Sequence, residues 1–142
     1  MGAILVLLER RGSELKGASL QALSTARRLA DATGDSVVAP AVGTQAATCA
    51  ELAGRHGADR LFAVDDAAYD LYVPETYAAT LSDAAKQSGA DTILLAGTSL
   101  GRDVAARTCA RLGTGLLSDV VELNRAAGGA LRGKRPVYSG RA

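Results

Sequence analysis

Three junctions of one kind punctuate this chain: Gly34-Asp35, Gly57-Ala58-Asp59 and Gly89-Ala90-Asp91, each closing a helical pattern and followed at once by an apolar run. Glycine stops a helix at such a place because it takes a positive φ without steric penalty. The runs are Val37–Val42, Leu61–Val64 and Thr92–Ala96, and another opens the chain and continues through Leu8. Continuous apolar strands, unlike alternating ones, call for cover on both faces, the condition of a parallel sheet.

Helical stripes lie between the runs. The first carries Leu20, Leu23, Ala26 and Ala30 inward and leaves Gln21, Thr25, Arg28 and Asp31 for solvent. A later one opens after Pro74-Glu75 and places Tyr77, Leu81, Ala84 and Ser88 on one face, and the last buries Val104, Thr108, Cys109 and Leu112 before Gly113. Four alternations of strand and helix, under the right-handed crossover rule, predict an α/β domain with a Rossmann-like, doubly wound, mostly parallel sheet.

The chain has 142 residues, enough for one domain spanning 1–142 that buries about 68% of its unfolded surface. Aromatics make up only 4%, so Ala, Leu and Val must fill the core. A formal net charge of +1 gives no broad field for a polyanion, which argues against nucleic acid as a partner. The opening run has no basic region before it and no cleavage site after it, and no run approaches the ~20 residues that span a bilayer, so neither secretion nor membrane insertion is expected. Cys49 and Cys109 lie far apart without a CxxC pair, which predicts buried or half-buried thiols in a reducing cytoplasm.

After Gly115 the texture changes. Leu116–Leu123 reads as one more core strand, 124–129 as a loop, and 130–142 as the rest of an antiparallel pair at the C-terminal edge of the sheet. The chain stops at Tyr138-Ser139-Gly140-Arg141-Ala142 with nothing to close that strand, and a truncated protein is the expectation. Residues 65–91 carry a net charge of −5 and residues 119–142 a net of +3. Solvated faces account for both, and a protein-docking surface is the sharper reading of the basic tail.

One constellation could carry chemistry. Gly97-Thr98-Ser99-Leu100-Gly101-Arg102-Asp103 sits between a strand and a helix, where first-turn N–H groups make an anion site. Read functionally, Thr98 and Ser99 offer hydroxyls, Gly101 allows close approach, and Arg102 supplies charge to a phosphate. Read structurally, Thr98 or Ser99 caps the helix and Asp103 pairs with Arg107 at i+4. Asp103 also argues against a bound anion, since its carboxylate would compete for the same N–H groups. Neither the P-loop nor the dinucleotide pattern is present.

Elsewhere the residues are bland. His56 stands at the end of a helix, where capping explains it better than catalysis, and no Ser/His/Asp or Cys/His set exists for a hydrolase. The cluster Asp65, Asp66 and Asp70 matches no metal loop and reads as a solvated turn.

Taken in order, Gly89–Asp103, Ala110-Arg111-Leu112-Gly113, Leu117-Ser118-Asp119-Val120 and Arg135–Ala142 resemble the amino-terminal domain of the alpha subunit of electron transfer flavoprotein. Ile4–Glu9 and Leu15–Leu20 fit the same family, and the resemblance covers essentially the whole chain. It implies an adenine-nucleotide alpha-hydrolase-like fold and a pairing with a beta subunit that holds AMP. It also implies an FAD that takes electrons from acyl-CoA-type dehydrogenases and delivers them to a quinone oxidoreductase. In that family FAD is held mainly by a carboxy-terminal domain, which the resemblance leads one to expect is absent from a truncated chain. The expected role is therefore a scaffold and beta-subunit-docking domain, part of an electron carrier rather than an enzyme with its own catalytic residues. The alternative is a self-sufficient AMP- or ATP-binding module using Thr98, Ser99, Gly101 and Arg102. These four correspond in place to the beta subunit's phosphate loop but lack its Asp-Gly-Asp-Thr type of sequence.

Overall fold

The computed structural model describes residues 2–126 and 130–134. The elements run β1 (Ala3–Val6), β2 (Arg10–Arg11), β3 (Glu14–Leu15), α1 (Gly17–Thr33), β4 (Ser36–Val42), α2 (Ala50–Arg55), β5 (Arg60–Val64), α3 (Pro74–Ser88), β6 (Ala90–Leu94), α4 (Ser99–Leu112), β7 (Glu122–Arg125) and β8 (Leu131–Lys134). Four of the strands form one parallel sheet in the order β5-β4-β1-β6. The chain winds outward from β1 through β4 to β5, then crosses back to lay β6 on the other side, so the order reverses between β1 and β6.

Side chains of β1 alternate between two cores. Ile4, Val6 and Leu8 meet Leu23, Ala26, Leu29 and Ala30 of α1 and Ala53 of α2. Ala3, Leu5 and Leu7 meet Leu81, Ala84 and Ala85 of α3 and Val104 of α4. Both faces of the strand are dry, as its unbroken apolar run requires. Ile4 and Leu5 are fully buried, and each contributes roughly 1.5–3 kcal/mol of apolar transfer free energy. Gly34, Gly89 and Gly113 terminate α1, α3 and α4 at positive φ, as the sequence leads one to expect.

The three junction aspartates do more than follow a glycine. Asp35 accepts from the Gly2 amide at 2.9 Å and from the Thr33 hydroxyl at 2.8 Å, and Asp59 accepts from the Val37 amide at 2.8 Å and from Arg27 at 2.9 Å. Each thus caps an amide near the start of a neighbouring strand, at the amino edge of the sheet. Thr92 donates to Asp91 at 2.9 Å on the same edge.

The C-terminal region corrects the expectation of a further core strand. Residues 116–119 are exposed and in no strand, β7 covers only Glu122–Arg125, and β7 and β8 form a separate two-stranded antiparallel sheet rather than an extension of the main one. The physical reason is polarity: Glu122, Leu123, Asn124 and Arg125 alternate exposed and half-buried, which suits a hairpin covered on one face and not a strand buried on two. Leu123 and Leu131 lean on the α1 side of the core, and Arg28 Nη2 donates to the Leu123 carbonyl. The edge strand expected around Val137 and Tyr138 lies outside the described residues.

Candidate functional site

In an open parallel sheet, ligands settle outside the carboxyl ends of the strands where the strand order reverses. Here that place lies between the ends of β1 and β6, and it brings Glu9 and Thr98 together. Glu9 follows β1 and is 7% exposed, with its amide donating to Ser19 Oγ at 2.8 Å. The Thr98 hydroxyl donates to Glu9 Oε2 at 2.6 Å and accepts from the Gly101 amide at 3.0 Å. A relay therefore runs from the first turn of α4 through one hydroxyl to a buried carboxylate. Among the described residues Glu9 Oε1 receives no hydrogen bond, and the cation paired with it is Lys16, with Nζ at 3.8 Å.

The four loop residues singled out in the sequence are placed as follows. Thr98 is the N-cap of α4 and Ser99 its exposed first residue. Gly101 is buried, and a Cβ there would lie 2.0 Å from the Ala96 carbonyl oxygen, so this glycine lets α4 close on the end of β6. Arg102 reaches out to Asp119 at 3.0 Å. Asp103 does not compete for the helix amides: it accepts from the Tyr72 hydroxyl at 2.7 Å and from Arg107 at 3.1 Å. The carboxylate that does engage the helix start is Glu9, which the sequence hid as the polar end of an apolar strand.

Tyrosines roof this end of the sheet. The Tyr77 ring lies 5.0 Å from Tyr72, edge to face, and 6.1 Å from Tyr69. Tyr77 donates to the Tyr69 carbonyl at 3.0 Å, and the Tyr69 and Thr80 hydroxyls share a hydrogen bond of 2.9 Å. Burial pushes the Tyr77 phenol up, while burial and the hydrogen bond to Asp103 push Tyr72 up to about 12.

The loops beside the tyrosines are tied across the sheet end. Asp70 accepts from the Thr44 hydroxyl at 2.6 Å and from its amide at 2.8 Å, which together hold its carboxyl below the ordinary range. Arg10 donates to the carbonyls of Val42, Thr44 and Gly12. Gly43, at φ 105°, lies where a Cβ would come within 2.9 Å of both Asp70 and Arg10. Asp65 and Asp66 accept from the Gln45 and Ala68 amides, so the acidic cluster caps turns.

Cys49 is buried, with its thiol pushed up by burial, Cys109 is half-buried, and His56 closes α2. Among the described residues no His/Cys/Asp/Glu group could hold a metal ion, and no helix is long and apolar enough to cross a membrane.

A second concavity, of about 950 Å³, runs along the outer edge of β6. Ile93, Leu95 and Ala105 form one wall, and Leu116, Leu117 and Val120 the other. Leu116 and Leu117 are 48% and 53% exposed. The sequence signalled these leucines only as an apolar run, which reads equally as a buried strand.

Comparison with known proteins places this architecture. A universal stress protein from Archaeoglobus fulgidus superposes with a TM-score of 0.52 at 16% identity, covering 73% of this chain and 90% of that one, and so shares its fold. The electron transfer flavoprotein subunit alpha of Thermoanaerobacterium thermosaccharolyticum is 34% identical over 137 residues, covering 96% of this chain and 42% of the relative. Protein FixB of Rhizobium meliloti is 31% identical over 139 residues, covering 95% and 39%. The acryloyl-CoA reductase electron transfer subunit beta of Anaerotignum propionicum is 32% identical over 121 residues, covering 85% and 33%. This chain thus spans less than half the length of these relatives. The family model for the electron transfer flavoprotein domain matches residues 4–142, and the chain belongs to the electron transfer flavoprotein family, with the amino-terminal domain of its alpha subunits as its type.

Proposed function

We propose that this domain is a scaffold and docking domain of an electron transfer flavoprotein, packing against a beta subunit while the flavin is held elsewhere in the complex. The observation that carries the reading is the engagement of Thr98 with Glu9, which puts a carboxylate where a nucleotide domain needs an open anion site. The residues of the loop do not fit a phosphate or the diphosphate of FAD: the Thr98 proton goes to a carboxylate, Gly101 serves helix packing, and Arg102 faces Asp119. Electron transfer between acyl-CoA-type dehydrogenases and a quinone oxidoreductase then belongs to the assembled complex, with AMP in the beta subunit.

Docking draws support from the apolar surface. Leu71 is 79% exposed and Val73 45%, both on the loop leading into α3, and Val121 is 73% exposed ahead of β7. Leu71 and Val73, two residues apart on one loop, are the exposed apolar pair that a protein contact would cover. Gel filtration of the chain mixed with the beta subunit of the same electron transfer flavoprotein tests this. A stable one-to-one complex is expected, and separate elution at tens of micromolar would refute docking.

A further inference from the structure

The loop ahead of α4 has the position, hydroxyl and helix start of an anion site, yet its hydroxyl is already committed. Thr98 Oγ1 can donate only one proton, and that proton lies on Glu9 Oε2 at 2.6 Å, while its lone pair takes the Gly101 amide. The Glu9 side chain is 5% exposed, and among the described residues its Oε1 receives no hydrogen bond although Lys16 stands 3.8 Å away. A buried carboxylate oxygen left without a donor is costly, so its retention beside the helix start calls for a reason other than stability.

We propose that Glu9 is the resident anion of this loop: it accepts the Thr98 hydroxyl that a phosphate monoester would otherwise accept, and keeps adenine nucleotides out of the crevice between β1 and β6. The inference rests on the scaffold reading above and gives it a cause. Charge supplies the exclusion. A phosphate reaching Thr98 would have to displace the carboxylate from its only short hydrogen bond and then sit beside it, two anions in a poorly hydrated crevice. Thr98 would be the first ligand of the latent site, with the first-turn amides of α4 behind it.

The test is calorimetric titration of the purified chain with AMP and with inorganic phosphate, on wild type, Glu9→Gln and Glu9→Gln/Thr98→Val. Gln keeps the shape of Glu and an acceptor for Thr98 but removes the charge. Wild type is expected to bind neither probe, Glu9→Gln to bind AMP at least about tenfold tighter than any residual wild-type binding, and the double variant to lose that gain. Folded Glu9→Gln that binds AMP no better than wild type overturns the inference and leaves the scaffold reading standing. Wild type that itself binds AMP overturns both. Glu9→Leu, neutral and apolar, carries the same expectation if Glu9→Gln does not fold. If circular dichroism shows both neutral variants unfolded, the inference is also overturned, because one hydrogen bond and one long ion pair should not decide folding.

Discussion

Arg125 of the C-terminal hairpin reaches Asp35 at the amino edge of the sheet, with 3.5 Å between Nη2 and Oδ2, and both side chains are largely buried, 14% and 9% exposed. The same guanidinium stands 3.9 Å from Asp91. One arginine therefore ties β7 to the junction aspartates at the starts of β4 and β6. Removing it leaves Asp35 buried with fewer donors. Arg125→Ala should destabilise the chain by about 2 kcal/mol, the scale of a hydrogen bond to a charged group. The expected observation is a lower urea midpoint with an unchanged slope, and a midpoint within error of wild type would dismiss the tie.

The junction aspartates also set the acid response. Asp59 is held below the ordinary carboxylate range first by the Val37 amide and then by Arg27, and Asp35 first by the Thr33 hydroxyl, then by the Gly2 amide and Arg125. A carboxylate whose folded pKa is depressed stabilises the fold above its unfolded value, and that stabilisation is lost as pH falls through the folded value. The loss should therefore begin near pH 4, the unfolded Asp value, and continue downward. Asp59→Asn should flatten the fall of melting temperature below pH 4. An unaltered slope in that variant would show that Asp59 is not among the groups responsible.

At alkaline pH the sign reverses. Tyr72 ionises only at about 12 because burial and Asp103 disfavour the phenolate. The unfolded chain loses this proton near 10, so the contribution is intact below 10 and disappears as pH rises through the folded value. Ultraviolet titration of the phenols should show Tyr77 ionising late through its burial and Tyr72 at about 12, and the step at about 12 should vanish in Tyr72→Phe and move to lower pH in Asp103→Asn. A titration step at about 12 that persists unchanged in Tyr72→Phe would contradict the assignment.

Gly101 is needed by packing. A methyl group there meets the Ala96 carbonyl at 2.0 Å, so the first turn of α4 must move, whereas Gly115 faces open space. Gly101→Ala should cost about 1–3 kcal/mol and Gly115→Ala little, measured side by side by denaturant unfolding. Equal effects at the two sites would remove the packing argument.

Much of this was legible before any coordinates. The glycines at 34, 89 and 113 announce helix ends through φ alone, a local property, and the continuous apolar runs after 34, 57 and 89 announce parallel strands, although only β4 among these three is buried along nearly its whole length while β5 is half-buried to exposed. Thr98 as cap and Asp103–Arg107 as an i,i+4 pair are also local and were readable. Contacts between distant segments were not. Glu9 and Thr98 lie 89 residues apart, and Arg125 and Asp35 lie 90 apart. Only the return of β6 to the side of β1, and the folding back of β7 beneath α1, brings each pair together. Leu116 and Leu117 misled for a related reason: apolar character says that a residue seeks cover, and says nothing of whether this chain supplies it.

The central claim, that this domain supports and docks rather than binds a nucleotide, is tested most directly by calorimetric titration of the wild-type chain with AMP and, separately, with FAD. No heat of binding from either at millimolar ligand is the predicted result. Micromolar affinity for AMP would contradict the claim and place a working phosphate site at Thr98, Ser99, Gly101 and Arg102.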